Sequence, residues 1–335
     1  MTFPAGLPNL GAINLAGASA LQNSIARSAL GITGNVYYLD PVNGLDGNDG
    51  TLPTNAVQSL AAGYALLVSG NNDVLVLIGN GASTGSVRIT TFTWAKNACH
   101  LIGVCAPSAI SQRARIAFPT TTGLTVTANF FTVSGNGCLF QNLSFFQGAG
   151  SGQTGIAASI CLTVSGSRNA FINCDIEGMG DATAAVSSTS RNILLSGGGE
   201  NIFSHCNIGL DTVVRTTANA SVEVKGGTPR NIFEDCTFPF WSSDGLQYAV
   251  IGTGNNCMDR WLLFKGCNFI ATNAGAGLAI AGLFRFSTAS PGGLVCVDPT
   301  CGMFNVTAIG DTTSKALVFL AGGAATNAVK GIVAS

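Results

Sequence analysis

Charge is what this sequence lacks most. Asp, Glu, Lys and Arg make up 9% of its 335 residues, against about 25% in an average soluble protein. The 15 basic and 16 acidic side chains leave a net charge of −1. No Lys/Arg cluster supplies the stripe of cations that neutralises phosphates, so nucleic acid is not an expected partner. Long apolar runs are missing too. Stretches such as Val74–Ile78 fall far short of the roughly 20 residues of a spanning helix, and no membrane is expected. Met1–Leu10 has no basic start, and Pro4, Gly6, Pro8 and Gly11 interrupt any apolar core, so no secretory leader is expected. Histidine is reduced to His100 and His205, and the 3 Trp and 4 Tyr are scattered. Little is left for His-based nucleophile activation or for an aromatic-lined sugar groove.

Against these gaps stand 44 Gly and 47% hydrophobic residues, with a mean hydropathy of +0.40. Such a chain buries a great deal but has little charge to keep a lone subunit soluble, so part of its surface is expected to be interface. Eleven Cys is an odd number, spread without the spacing of a small disulfide scaffold. Buried free thiols in a reducing cytosol are the better reading.

The organising feature is a repeat. Five segments read Phe-x-x-(Cys or Leu)-x-(Ile or Phe): Phe140–Phe145, Phe171–Ile176, Phe203–Ile208, Phe233–Phe238 and Phe264–Phe269. Their first residues are 31, 32, 30 and 31 positions apart, a beat that stacked turns of a solenoid keep and a globular core does not. Each is preceded by a second apolar strand ending in Gly, as in Leu162-Thr-Val-Ser-Gly166 and Val222-Glu-Val-Lys-Gly226. Both runs alternate with period two, the spacing of strands. Ladders of Phe171, Cys174, Phe203, Cys206, Phe233, Cys236, Phe264 and Cys267 are expected to point inward as structural core. Just before the Cys/Leu position stand Asn142, Asn173, His205, Asp235 and Gly266. These types tolerate positive φ, which predicts one left-handed corner per coil.

This repeat resembles the pectin-lyase-like superfamily of right-handed parallel β-helices, and the all-β solenoid fold follows from that resemblance. Tyr37–Gly50 (Tyr-Tyr-Leu-Asp-Pro-Val-Asn-Gly-Leu-Asp-Gly-Asn-Asp-Gly) is similar to the opening segment of many bacterial and phage β-helix proteins, in which a short helix then caps the open end. Ala56–Val68 suits that helix, with Val57, Leu60, Ala61, Tyr64 and Leu67 on one face and Asn55 as N-cap. The organisation expected is an N-terminal arm over 1–34, an opening strand and cap over 35–70, the β-helix over 71–311 and a terminal strand or subunit-contact segment over 312–335. Within the arm, Ala18–Leu30 can form one short helix. Gly148–Ser159, Met179–Ser190 and Asp211–Ala220 are loops at one phase of successive coils.

Catalytic motifs are harder to find. Gly81-Ala-Ser83-Thr-Gly85 matches a nucleophile elbow, but a strand-like Ser86–Thr90 follows where a helix is required. Gly79, Gly81 and Gly85 lack dinucleotide-loop spacing, and Gly197–Gly199 reads as a turn. Cys99-His100 and Cys296-x₄-Cys301 lack zinc spacing, and Asp46–Gly50 reads as an Asx turn before it reads as a calcium loop. No metal and no cofactor is expected. A glycan hydrolase needs two carboxylates across the scissile bond. Asp175, Glu177, Asp181, Asp211, Glu234, Asp235 and Asp244 are the candidates, and Asp175 with Arg191 or Arg215 would suit a lyase. All are read instead as exposed polar residues, with no catalytic residue assigned. The expectation is a structural protein of a tailed-bacteriophage virion, a head decoration or spike, assembled in the host cytoplasm. It would form a homotrimer and dock on the major capsid or another virion protein through Leu7, Leu10, Ile13, Leu15, Leu21 and Ile25 of the arm. The rival is a tailspike or secreted polysaccharide lyase or hydrolase.

Overall fold

A computed structural model describes residues 33–105, 114–243, 245–273, 279–286 and 292–310, with the backbone of short strands at 317–319 and 329–330. The arm anchors, the 18–30 helix and Asp244 lie outside the described residues. The chain is an all-β, right-handed parallel β-helix. Each coil lays one strand on each of three parallel sheets: sheet I with 11 strands, sheet II with 8 and sheet III with 7. One coil runs Ala170–Ile172 on sheet I, Asp175–Glu177 on sheet II and Arg191–Ser196 on sheet III. The next runs Ile202–Ser204, Asn207–Ile208 and Ala220–Lys225. The strands Leu317–Phe319 and Val329–Lys330 extend sheet I further.

Parallel strands pair in register, so like positions stack. Phe140, Phe171, Phe203, Phe233 and Phe264 form one inward column on sheet I. Their rings lie parallel, with centroids 4.7–5.0 Å apart. All five are fully buried. Beyond the corner a second column holds Leu143, Cys174, Cys206, Cys236 and Cys267, also buried. Each of these thiols donates to the carbonyl of the Phe one coil earlier: Cys174 to Phe140, Cys206 to Phe171, Cys236 to Phe203 and Cys267 to Phe233, at 3.3–3.5 Å. Cys301 stands next in line, since its neighbour Gly302 pairs with Asn268. All eleven cysteines carry free thiols. Burial raises the pKa of Cys161, Cys174 and Cys236.

The corner between sheets I and II is left-handed in every coil of the repeat: Asn142, Asn173, His205, Asp235 and Gly266 have φ of 52–62°. A second left-handed corner, between sheets III and I, falls on Arg168, Glu200 and Arg230, with φ of 49–60°. No residue-type rule points to Arg or Glu there. An ion-pair chain along the edge holds them: Arg168 Nε to Glu200 Oε2 at 2.9 Å and Arg230 Nη2 to Glu200 Oε1 at 2.6 Å.

Directly after that corner lies a buried ladder that residue spacing did not flag. Asn169, Asn201 and Asn231 are at most 1% exposed. Asn169 Oδ1 accepts the Cys138 N–H at 2.8 Å, Asn201 Oδ1 that of Asn169 at 2.9 Å, and Asn231 Oδ1 that of Asn201 at 3.0 Å. Their amides donate to Gly135, Gly166 and Gly198 carbonyls. Buried backbone groups at the bend are thereby paired, which a buried turn requires.

The cap differs from expectation. The helix spans only Leu60–Leu66, and Ser59, not Asn55, caps it by accepting the Ala62 N–H at 3.2 Å. Pro53–Asn55 is a 3₁₀ turn. Val57 is drawn into strand-like bonding, exchanging backbone hydrogen bonds with Tyr38 and Asp40. Pairing with the first strand therefore outweighs helical periodicity at residues 56–59. Asp46 and Asp49 turn their carboxylates onto N–H groups of Gln58, Ser59 and Thr51, an arrangement that ties the loop down. On the outward side of sheet I, Val36, Val74 and Val76 with Tyr38 and Ile102 form a small cluster separate from the main core.

Two outcomes test this packing. Asn201→Ala strands the Asn169 N–H and Gly166 C=O, so chemical denaturation should show a loss of about 2–4 kcal/mol. Native protein should react slowly with a thiol probe at Cys174, Cys206 and Cys236 and the unfolded chain fast. Cys206→Ser should cost about 1–3 kcal/mol through its poorly matched hydroxyl, and more than Cys206→Ala.

Candidate functional site

Among the described residues, the carboxylates that sequence singles out do not converge on one open cleft. Asp175 and Glu177, expected to be exposed, are buried at 3% and 0% exposure. They sit on the outward side of the Asp175–Glu177 strand, because the inward position between them is Ile176. Glu177 Oε2 takes Arg115 Nη2 at 3.0 Å and the Ser144 hydroxyl at 3.0 Å. Arg115 spans two coils to reach it and lies over the Phe146 ring at 4.7 Å. Alternation alone does not reveal such a network, since it marks these positions as outward and outward positions are usually wet.

The remaining candidates have other tasks. Asp181 caps the short helix Ala182–Ala185 by accepting the Ala184 N–H at 2.9 Å, and its other oxygen accepts the Ala149 N–H. Thus the loop over 179–190 contains a helical turn. Glu234 pairs with Lys265 at 2.6 Å on the surface. Asp235 holds the left-handed corner with His205 3.7 Å away. Asp211 is an exposed loop residue. Ser83 starts a 3₁₀ turn that leads into the strand Val87–Arg88, so the elbow-like motif is a turn. Among the described residues, no three His, Cys, Asp or Glu side chains are placed to hold a metal ion.

A concave feature with mixed chemistry lies on the outer face of sheet III. A surface cavity of about 280 Å³ is lined by Ser188, Asn219, Tyr248, Ile251, Thr253 and Arg285. Thr132, Thr163, Leu194, Glu223, Ile251 and Arg285 stack in register as one outward column, and its last two members, Ile251 and Arg285, line the cavity. The loops at 178–190 and 209–219 form its flank. Arg285 lies over the Tyr248 ring at 5.5 Å. Glu223 is the carboxylate of this column, and both its oxygens are engaged. Oε2 takes Arg191 Nε at 3.1 Å, and Oε1 takes the Thr253 hydroxyl at 2.6 Å. Arg191 also donates to the Ser188 and Ser190 carbonyls, so it serves Glu223 and the loop. Burial lowers its pKa from the usual arginine value.

Beneath the same loops Arg215 is 2% exposed. Its guanidinium donates to the Ser221 hydroxyl at 3.3 Å and stacks over Phe240 at 4.9 Å. Burial pushes its pKa down to about 9, with Arg191 adding to the shift. Its backbone ties together the neighbouring loop: Arg215 O accepts from Ser243 N and Gln247 Nε2. The arrangement can present an aromatic ring, hydroxyls and an exposed cation to a polar ligand. It offers no pair of free carboxylates for acid–base cleavage.

No protein-family model matches this chain, and neither does any curated protein. Among solved structures it is similar to pectate lyase Pel9A, at 16% identity over 90% of this chain and 80% of that one, with a TM-score of 0.56. It is similar to a rhamnogalacturonan lyase, at 15% identity over 85% and 73% of the two chains, with a TM-score of 0.52. Pectin methylesterase PemA from Erwinia chrysanthemi aligns at 14% identity over 86% and 92%, with a TM-score of 0.50. The likeness is one of fold alone, that of a right-handed parallel β-helix.

Proposed function

We propose that this chain is a non-catalytic structural β-helix of a tailed-bacteriophage virion, a decoration or spike on the head, self-associated and attached through residues 1–34. The observation that carries the non-catalytic reading is the engagement of its carboxylates. Glu177, Glu223 and Asp181 are committed to Arg115, Arg191 and a helix cap. Acid–base cleavage of a glycan requires one carboxyl free to donate and one free to attack or deprotonate. The 9% charged composition supports extensive protein–protein burial, and a solenoid with stacked coils is a rigid support for it. The resemblance of Tyr37–Gly50 to phage β-helix openings supports the virion setting.

One observation favours a second reading. The sheet III cavity combines Tyr248, Arg285 and hydroxyl groups, and the fold neighbours are named as pectate lyase, rhamnogalacturonan lyase and pectin methylesterase. A tailspike or secreted enzyme acting on acidic polysaccharide would place substrate there, with Arg285 facing a sugar carboxylate.

Purified protein should release neither unsaturated products nor new reducing ends from polygalacturonate or host capsule. Product formation that Glu223→Gln or Arg285→Ala abolishes, with the thermal melt intact, would establish the second reading instead. Deleting residues 1–34 should leave a folded body that fails to join the particle. Normal incorporation of the truncated chain would remove the anchor from the proposal.

A further inference from the structure

Sheet I has a second side. Opposite the Phe column, Leu139, Ala170, Ile202, Ile232, Leu263 and Cys296 stack in register along its outward face. Ile202 is 39% exposed, the others are half-buried, and none belongs to the main core. Toward the cap the column runs on through His100 into the small cluster around Val74. His100 Nδ1 accepts the Leu139 N–H at 3.0 Å, which requires an unprotonated nitrogen. The column therefore carries no formal charge along its length. The outward columns of the other sheets differ: Arg115 and Asp175 share one on sheet II, and Glu223 and Arg285 share one on sheet III.

Symmetry makes that difference matter. When identical solenoids pack around an axis parallel to their own, each residue faces its own copies at the same height. A charged column then meets like charges, whereas an uncharged apolar column meets only itself. The rim suits the same role. The Glu234–Lys265 pair in the next outward column is neutral, and the Arg168–Glu200–Arg230 chain along one edge shares one carboxylate between two guanidinium groups, which leaves a single net positive charge at the rim. An apolar strip with a polar rim is the anatomy of an association surface.

We propose that sheet I turns its outward face to a common axis, against the same face of two further copies of this chain at equal height. This rests on the self-association reading above and names the surface that performs it. Light scattering on the full chain should give three subunits. Ile202→Asp and Ile232→Asp should run as monomers with cooperative melts, while Ser165→Asp, a new carboxylate at the exposed position just past the sheet III strand Ile160–Val164, should keep the trimer. Because Cys296 stands in the same column with a free thiol, cross-linking is read in a Cys296→Ala background: under mild oxidation Ile202→Cys chains should cross-link to one another where the Cys296→Ala parent does not, a readout that holds even if the Asp variants misfold. A monomeric wild type would overturn self-association and this surface together. An oligomer that survives both Asp changes and gives no Ile202→Cys cross-link would overturn the surface alone.

Discussion

Parallel strands pair about 4.8 Å apart, and in a solenoid with a steady coil length that spacing brings each position onto its own equivalent. Everything else in this molecule answers to that constraint. Phenylalanine rings separated by 4.7–5.0 Å lie flat on one another, a separation close to the strand spacing itself. Asparagine serves the bend because its oxygen accepts from a backbone amide of the preceding coil while its nitrogen donates to a carbonyl of that same coil. Thiols fit their column because each is small, apolar and able to donate weakly to the Phe carbonyl one coil away.

The same constraint is hostile to charge. Stacking like on like puts equal charges a strand spacing apart, which is repulsive unless signs alternate along the axis. Where this chain does carry charge on its faces, it alternates: Arg168, Glu200 and Arg230 along one edge, Glu234 and Lys265 along another, Arg191 beside Glu223. A scarcity of charged residues is thus partly a property of the architecture. It also explains why the carboxylates are committed. A buried acid such as Glu177 is tolerable only with Arg115 and Ser144 in contact, because an unpaired buried charge is very costly. Carboxylates held this way support the sheets and loops and are poorly placed to move protons.

The face of sheet III shows how a site can still arise. Stacking alone would make it a plain row of Thr. Substitution of Leu194, Glu223, Ile251 and Arg285 at successive coils breaks the row, and loops of unequal length raise a wall beside it. Chemical variety on a solenoid comes from departures from the repeat, so the repeat signature that identifies the fold is silent about the site.

The sequence by itself determined the coil length, the inward Phe and Cys columns and the corner at Asn142, Asn173, His205, Asp235 and Gly266. Each depends on residue type at a fixed phase, and period-two alternation and tolerance of positive φ are local properties. Only the tertiary structure decided the rest. The Asn169–Asn201–Asn231 ladder and the left-handed Arg168, Glu200 and Arg230 depend on partners about 30 residues away. The helix start moved to Ser59 because Val57 bonds to the first strand. Asp175 and Glu177, outward by alternation, became buried because covering one side of a sheet is a property of what packs over it, and no alternation pattern encodes that.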